Sequence, residues 1–164
     1  MIKEMNMRFF TILLAVIIII SACTRKENTL TSAFSPDRKL EVLFSLDSEN
    51  SPNYEVFFKG KLLIQKSKLG IALKNNQQHF LKGLNIESLR YDSINENYTM
   101  LSGKRKNIVN KANIITLSFA NSKNKNLDII FRIYNDGIAW NYNLFNEDID
   151  TIDIEVSTFC LDQK

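Results

Sequence analysis

The sequence predicts an all-β fold, an antiparallel β-sandwich. Apolar residues recur at every second position along most of the chain, the period of a strand whose side chains alternate between faces. The alternating runs are short and parted by Gly, Pro, Asn, Asp and Ser clusters, the spacing of a sandwich. After residue 23 no helical period lasts beyond two turns.

The elements follow in order. Residues 24–33, TRKENTLTSA, are polar and patternless and read as a tether. Ser35-Pro36-Asp37 is a turn signal. Beyond it Leu40, Val42, Phe44 and Leu46 share a strand face, and DSENSPN is a loop. YEVFF runs through Lys59-Gly60-Lys61 into LLI, a hairpin in which Gly60 supplies backbone freedom. LGIALK puts Leu69, Ile71 and Leu73 on one side, and KNNQQHF is a polar loop. Residues 84–91 and 98–101 read as weaker strands around a SINEN break. Ile115, Leu117 and Phe119 alternate before the turn NSKNKN. Phe131 and Ile133 then share a face up to Asn135-Asp136-Gly137, a tight-turn signal that tolerates positive φ. Ile138, Trp140 and Tyr142 return on one face, an apolar surface suited to packing between sheets. TIDIEV is the last strand-like run.

A length of 164 residues suits one domain or part of a larger one. The net charge of +3 is mild, and Lys104-Arg105-Lys106 and Lys123/Lys125 sit among Gly and Asn as solvated turns. Nucleic acid, which calls for a concentrated basic face, is not an expected partner.

The N-terminus carries a different message. MIKEMNMR bears Lys3 and Arg8 and leads into the apolar run FFTILLAVIIII at residues 9–20. A helix of that run reaches only about 18 Å, short of the roughly 30 Å of a bilayer core. A basic start, a short apolar run and small residues describe an export signal helix. Ile20-Ser21-Ala22-Cys23 resembles the lipobox of bacterial lipoproteins. Small side chains at Ser21 and Ala22 admit the backbone to a peptidase, and the Cys23 thiol takes a diacylglyceryl group. The expected organisation is a signal peptide over 1–22, a tether over 23–33 and a sandwich over 34–164. The protein would be an exported bacterial lipoprotein on a periplasmic or cell-surface membrane face, held there by its acyl chains. With Cys23 lipidated, Cys160 has no disulfide partner and reads as a half-buried passive thiol.

Four blocks in order, SPDRKLEVLFSL, YEVFFKGKLLI, SKLGIALK and LDIIFRIYNDGIAWNY, resemble the N-terminal domain of glycoside hydrolase family 97 from about residue 34 to 160. FRxYNDGxAxxY is the most specific piece, supported by S-x-L-G-x-x-L. The resemblance implies a galactose-mutarotase-like super-sandwich, here incomplete. It also implies the setting of a calcium-dependent α-glucosidase or α-galactosidase whose catalytic carboxylates sit on a (β/α)8 barrel. Two departures stand out. The family's R-N-H-Y-N-E-L stretch survives only as Asn110 and Asn113, and Trp140-Asn141 stands where Phe-Arg is usual. The family's calcium ligands and catalytic acids are expected beyond Lys164, so no catalytic residue, metal ligand or cofactor is assigned to this chain, and it is expected to be inactive alone.

Glycoside hydrolysis needs two facing carboxylates. Glu147, Asp148, Asp150, Asp153 and Glu155 are available, but acids along a strand flank read as solvated edge residues. A calcium loop would need its Gly and a later bidentate acid. His79 is the single His, and a lone His makes no metal site. Among the aromatic residues Tyr134, opposite the apolar face and beside the turn, is the candidate for carbohydrate contact. The expected partners are a membrane, through the lipid on Cys23, carbohydrate, and a catalytic barrel encoded downstream. The competing expectation is a stand-alone lipid-anchored module that binds carbohydrate or protein.

Overall fold

A computed structural model of the chain describes residues 28–74, 79–102, 106–145 and 151–161. The signal helix, Cys23, Glu147, Asp148 and Asp150 lie outside the described residues. The described residues hold no helix and fold as antiparallel sheets stacked in a sandwich. In chain order the strands are β1 (Asn28–Phe34), β2 (Leu40–Leu46), β3 (Pro52–Phe58), β4 (Lys61–Lys68), β5 (Ile71–Leu73) and β6 (His79–Phe80). They continue as β7 (Asn85–Thr99), β8 (Asn107–Ala120), β9 (Asn126–Ile133), β10 (Ile138–Leu144), β11 (Ile152–Glu155) and β12 (Cys160–Leu161). One sheet runs β1-β2-β3-β4-β12, a second β10-β9-β8-β7, and a third β11-β5-β6.

The alternation seen in sequence becomes the core. Val42, Phe44 and Leu46 of β2 and Tyr54 and Val56 of β3 form a cluster with Ile115, Leu117 and Phe119 of β8 and Leu127, Ile129, Phe131 and Ile133 of β9. Phe44 meets Phe131 edge-on at 4.8 Å between ring centroids, which ties the first sheet to the second. Ile71 and Phe80 bring the third sheet into the same cluster. Every large side chain in it leaves water almost completely, and each contributes about 1.5–3 kcal/mol of transfer free energy.

The turns obey their residues. Lys59 and Gly60 have φ of 50° and 76°, the mirror-image turn that joins two twisted strands across a two-residue loop. Tyr134–Gly137 behaves differently from the expectation, because no residue within it has positive φ. A four-residue loop can be built on right-handed geometry and does not need a left-handed residue.

Three elements depart from the sequence reading. The tether expected over 23–33 gives way at Asn28 to β1, which pairs with β2 from Asn28↔Leu46 to Phe34↔Glu41. Its Thr and Ser residues suit an edge strand, and the β2 backbone supplies the ladder. The SINEN break is absent, since β7 runs unbroken to Thr99 along β8. Cys160 is exposed rather than half-buried, because β12 lies at the margin of the first sheet and pairs only with β4.

Candidate functional site

Two turns distant in sequence meet at one end of the sandwich. The Asp37 amide donates to Asn135 Oδ1 at 3.0 Å, so the Ser-Pro-Asp turn is fastened to the Asn-Asp-Gly turn. Within the first turn Ser35 Oγ donates to Asp37 Oδ1 at 2.8 Å and Lys39 Nζ sits 2.9 Å from Asp37 Oδ2. The Lys39 and Ser35 hydrogen bonds hold the Asp37 carboxyl down at about 2. Tyr134 is half-buried at the head of the second turn, where its amide donates to Gly137 O at 2.8 Å.

A second knot forms where the chain passes from β4 to β5. Gly70 has φ of +148°, and a Cβ there would lie 2.6 Å from Phe80 O. Only glycine fits that backbone approach. The Gly70 amide donates to Tyr142 Oη at 2.9 Å, and Tyr142 Oη shares a 2.6 Å hydrogen bond with Ser157 Oγ. Burial pushes the Tyr142 phenol above its ordinary value. The final residues of FRxYNDGxAxxY and the Gly of S-x-L-G-x-x-L are thus direct partners.

These contacts strap residues 151–161 across the sandwich. Tyr54 Oη donates to Thr158 O at 2.8 Å, the Lys68 amide to Thr158 Oγ1 at 2.8 Å, and the Cys160 amide to Ser67 Oγ at 2.9 Å. Burial drives the Tyr54 phenol up to about 12. Phe159 packs on Trp140 at 4.9 Å, and Trp140 in turn stacks on Phe131 at 5.4 Å. Trp140 and Tyr142, expected on the core face, do pack against the core. The strap leaves Ile152, Ile154 and Leu161 more than half exposed, and Phe159, although it packs on Trp140, is more than half exposed as well.

The sequence candidates for chemistry stay apart. Asp153 and Glu155 are exposed on β11. His79 is exposed on β6, not in a loop. Among the described residues no three His, Cys, Asp or Glu side chains come together to hold a metal ion. The resemblance implies calcium for the full enzyme, but the side chains described here do not fit it. Sequence reasoning missed one charged pair, Arg90 Nη2 to Asp128 Oδ2 at 3.0 Å. Alternation along β9 carried half of the signal, since Asp128 falls between the apolar Leu127 and Ile129 and so faces away from the core; its partner Arg90 is set by register across strands.

Comparison with known proteins places this architecture. The family model for the glycosyl-hydrolase 97 N-terminal domain matches residues 34–164. A glycoside hydrolase family 97 enzyme from Pseudoalteromonas sp. strain K8, solved with acarbose, is similar with a TM-score of 0.72 and 23% identity over 80% of this chain and 20% of that one. A variant of that enzyme solved with panose gives the same values of 0.72 and 23%. The crystal structure of a beta-arabinopyranosidase is similar with a TM-score of 0.74 and 27% identity over 81% of this chain and 21% of that one. The chain therefore spans about a fifth of the length of these structures. Matched over most of its length by the family model, and sharing the fold of family 97 enzymes, the chain belongs to the glycosyl-hydrolase 97 N-terminal family.

Proposed function

We propose that this chain is the non-catalytic N-terminal sandwich of a lipid-anchored family 97 α-glycosidase. Its task in the intact enzyme is to buttress a (β/α)8 catalytic barrel and shape the rim of the substrate pocket. Cys23 carries the lipid and holds the protein on a membrane face outside the cytoplasm. The observation that carries this reading is the strap. The hydroxyls of Tyr54 and Tyr142 fix it inward at Thr158 and Ser157, while Ile152, Ile154 and Leu161 point to solvent and Phe159, packed on Trp140, stays 60% exposed. Exposed apolar side chains on an ordered backbone favour cover by further protein. The family match and the share of the larger enzymes that it spans favour the rest of the sandwich and the barrel as that cover.

Glycoside cleavage needs an acid and a second carboxylate roughly 5–10 Å apart across one sugar, and the strap acids instead lie solvated on β11. The purified full chain, incubated with nitrophenyl α-glucoside and α-galactoside in the presence of calcium, is expected to release no nitrophenol. Clear turnover would overturn the assignment. Intact-mass analysis of membrane-extracted protein tests the anchor: a diacylglyceryl adduct on an N-terminal Cys23 is expected, and Cys23→Ala should leave the protein unlipidated.

A further inference from the structure

The outward face of the second sheet holds a polar hollow that the fold does not require. The register places Ser88, Ser118, Asp128 and Asn143 in one row across β7, β8, β9 and β10. Asp128 is only 4% exposed although it faces away from the core. A carboxylate so placed is costly unless paired, and Arg90 engages Oδ2 at 3.0 Å with a side chain that stays 65% exposed. The guanidinium thus keeps donors free for a ligand. The hollow is open to solvent, offers about 340 Å³ and is also lined by Glu87, Phe119, Asn126 and Phe145. The Phe145 ring stands 58% exposed at its side.

The mixture of groups selects the ligand. A free anion would face Asp128 and Glu87. A cation would meet Arg90. A wholly apolar molecule would strip water from all of them without replacing it. A neutral ligand with several hydroxyls and one apolar face satisfies every wall. The volume lies at the small end of ligand pockets. We infer that this hollow binds a pyranose ring of a neutral saccharide. Asp128 and Arg90 hold neighbouring hydroxyls, Asn126 and the two serines take further ones, and Phe145 packs on the C–H face. The site is separate from Tyr134, and the inference does not rest on the barrel-supporting role.

Calorimetric titration of the full chain with maltose, methyl α-glucoside and methyl α-galactoside tests it, with sulfate as the anion control. Saturable binding of at least one sugar is expected, with Asp128→Asn weakening it by roughly tenfold or more, as loss of a charged hydrogen-bond partner does. Phe145→Ala removes an exposed ring without touching the core and should weaken binding similarly while circular dichroism is unchanged. Absence of saturable sugar binding overturns the inference. So does sugar binding indifferent to Phe145→Ala, or binding of sulfate in preference to sugar. The readout is binding and not turnover, so each of these failures leaves the proposed function standing.

Discussion

Single residues decide the strained points of this sandwich. Gly70→Ala places a methyl group against Phe80 O at a φ that other residues avoid. The expected loss is about 2–3 kcal/mol, from backbone strain of that size, read as a lower midpoint in urea. Tyr142→Phe keeps the ring but leaves the Gly70 amide and Ser157 without their hydroxyl partner. It should cost about 1–3 kcal/mol if the Gly70 amide stays dry. Asp37 gives the acid limb of stability. Its carboxyl is held at about 2 against an ordinary 3.8. Its contribution is therefore complete above pH 3.8 and is lost as pH falls toward 2. Thermal midpoints measured across that window should drop, and Asp37→Asn should remove that part of the drop. Tyr54 acts at the other extreme. Its phenol is raised from 10.0 to about 12, so folding favours the neutral ring and that stability fades as pH climbs through this interval. Gly60 and the turn residues were legible in the sequence because their backbone demands are local, whereas the demand on Gly70 comes from Phe80 O across the fold. The Tyr142 hydroxyl was not, since its partner Gly70 lies 72 residues away.

At the scale of elements, the alternation was legible wherever one strand face is apolar and buried. β2, β3, β5, β9 and β10 all fall where their hydrophobic period places them. β1 and residues 93–97 of β7 escaped because their side chains carry little pattern: backbone pairing with β2 and β8 makes them strands. The Arg90–Asp128 pair escaped for a related reason, as it depends on cross-strand register and not on spacing along one strand. The strap offers a direct test of element packing. Trp140 is the chain's single tryptophan, and Phe159 covers it at 4.9 Å. Phe159→Ala should shift its emission to longer wavelength and raise its quenching by acrylamide. The accompanying loss of stability should be about 0.5–1.5 kcal/mol, the contribution of an aromatic pair. Unchanged emission would mean that the strap does not cover the indole in solution.

On the scale of the whole molecule, one contiguous cluster links all three sheets, so urea should unfold the chain in a single cooperative transition. A gradual, non-cooperative decline would show that the described core does not hold together without further protein. The β7–β8 ribbon bears on how cooperativity is distributed. β9 pairs with β8 only from Asn113 to Ala120, while β7 and β8 continue together from Ile94↔Ala112 to Thr99↔Asn107. Beyond β9 each has, among the described residues, no neighbour in the sheet but the other, and an isolated two-stranded ribbon is marginal in water. Amide deuteration should therefore be slow at Leu117 and Phe119 and fast toward Tyr98 and Asn107. A continuous pair of strands would then behave as two bodies, one clocked by global unfolding and one breathing on its own.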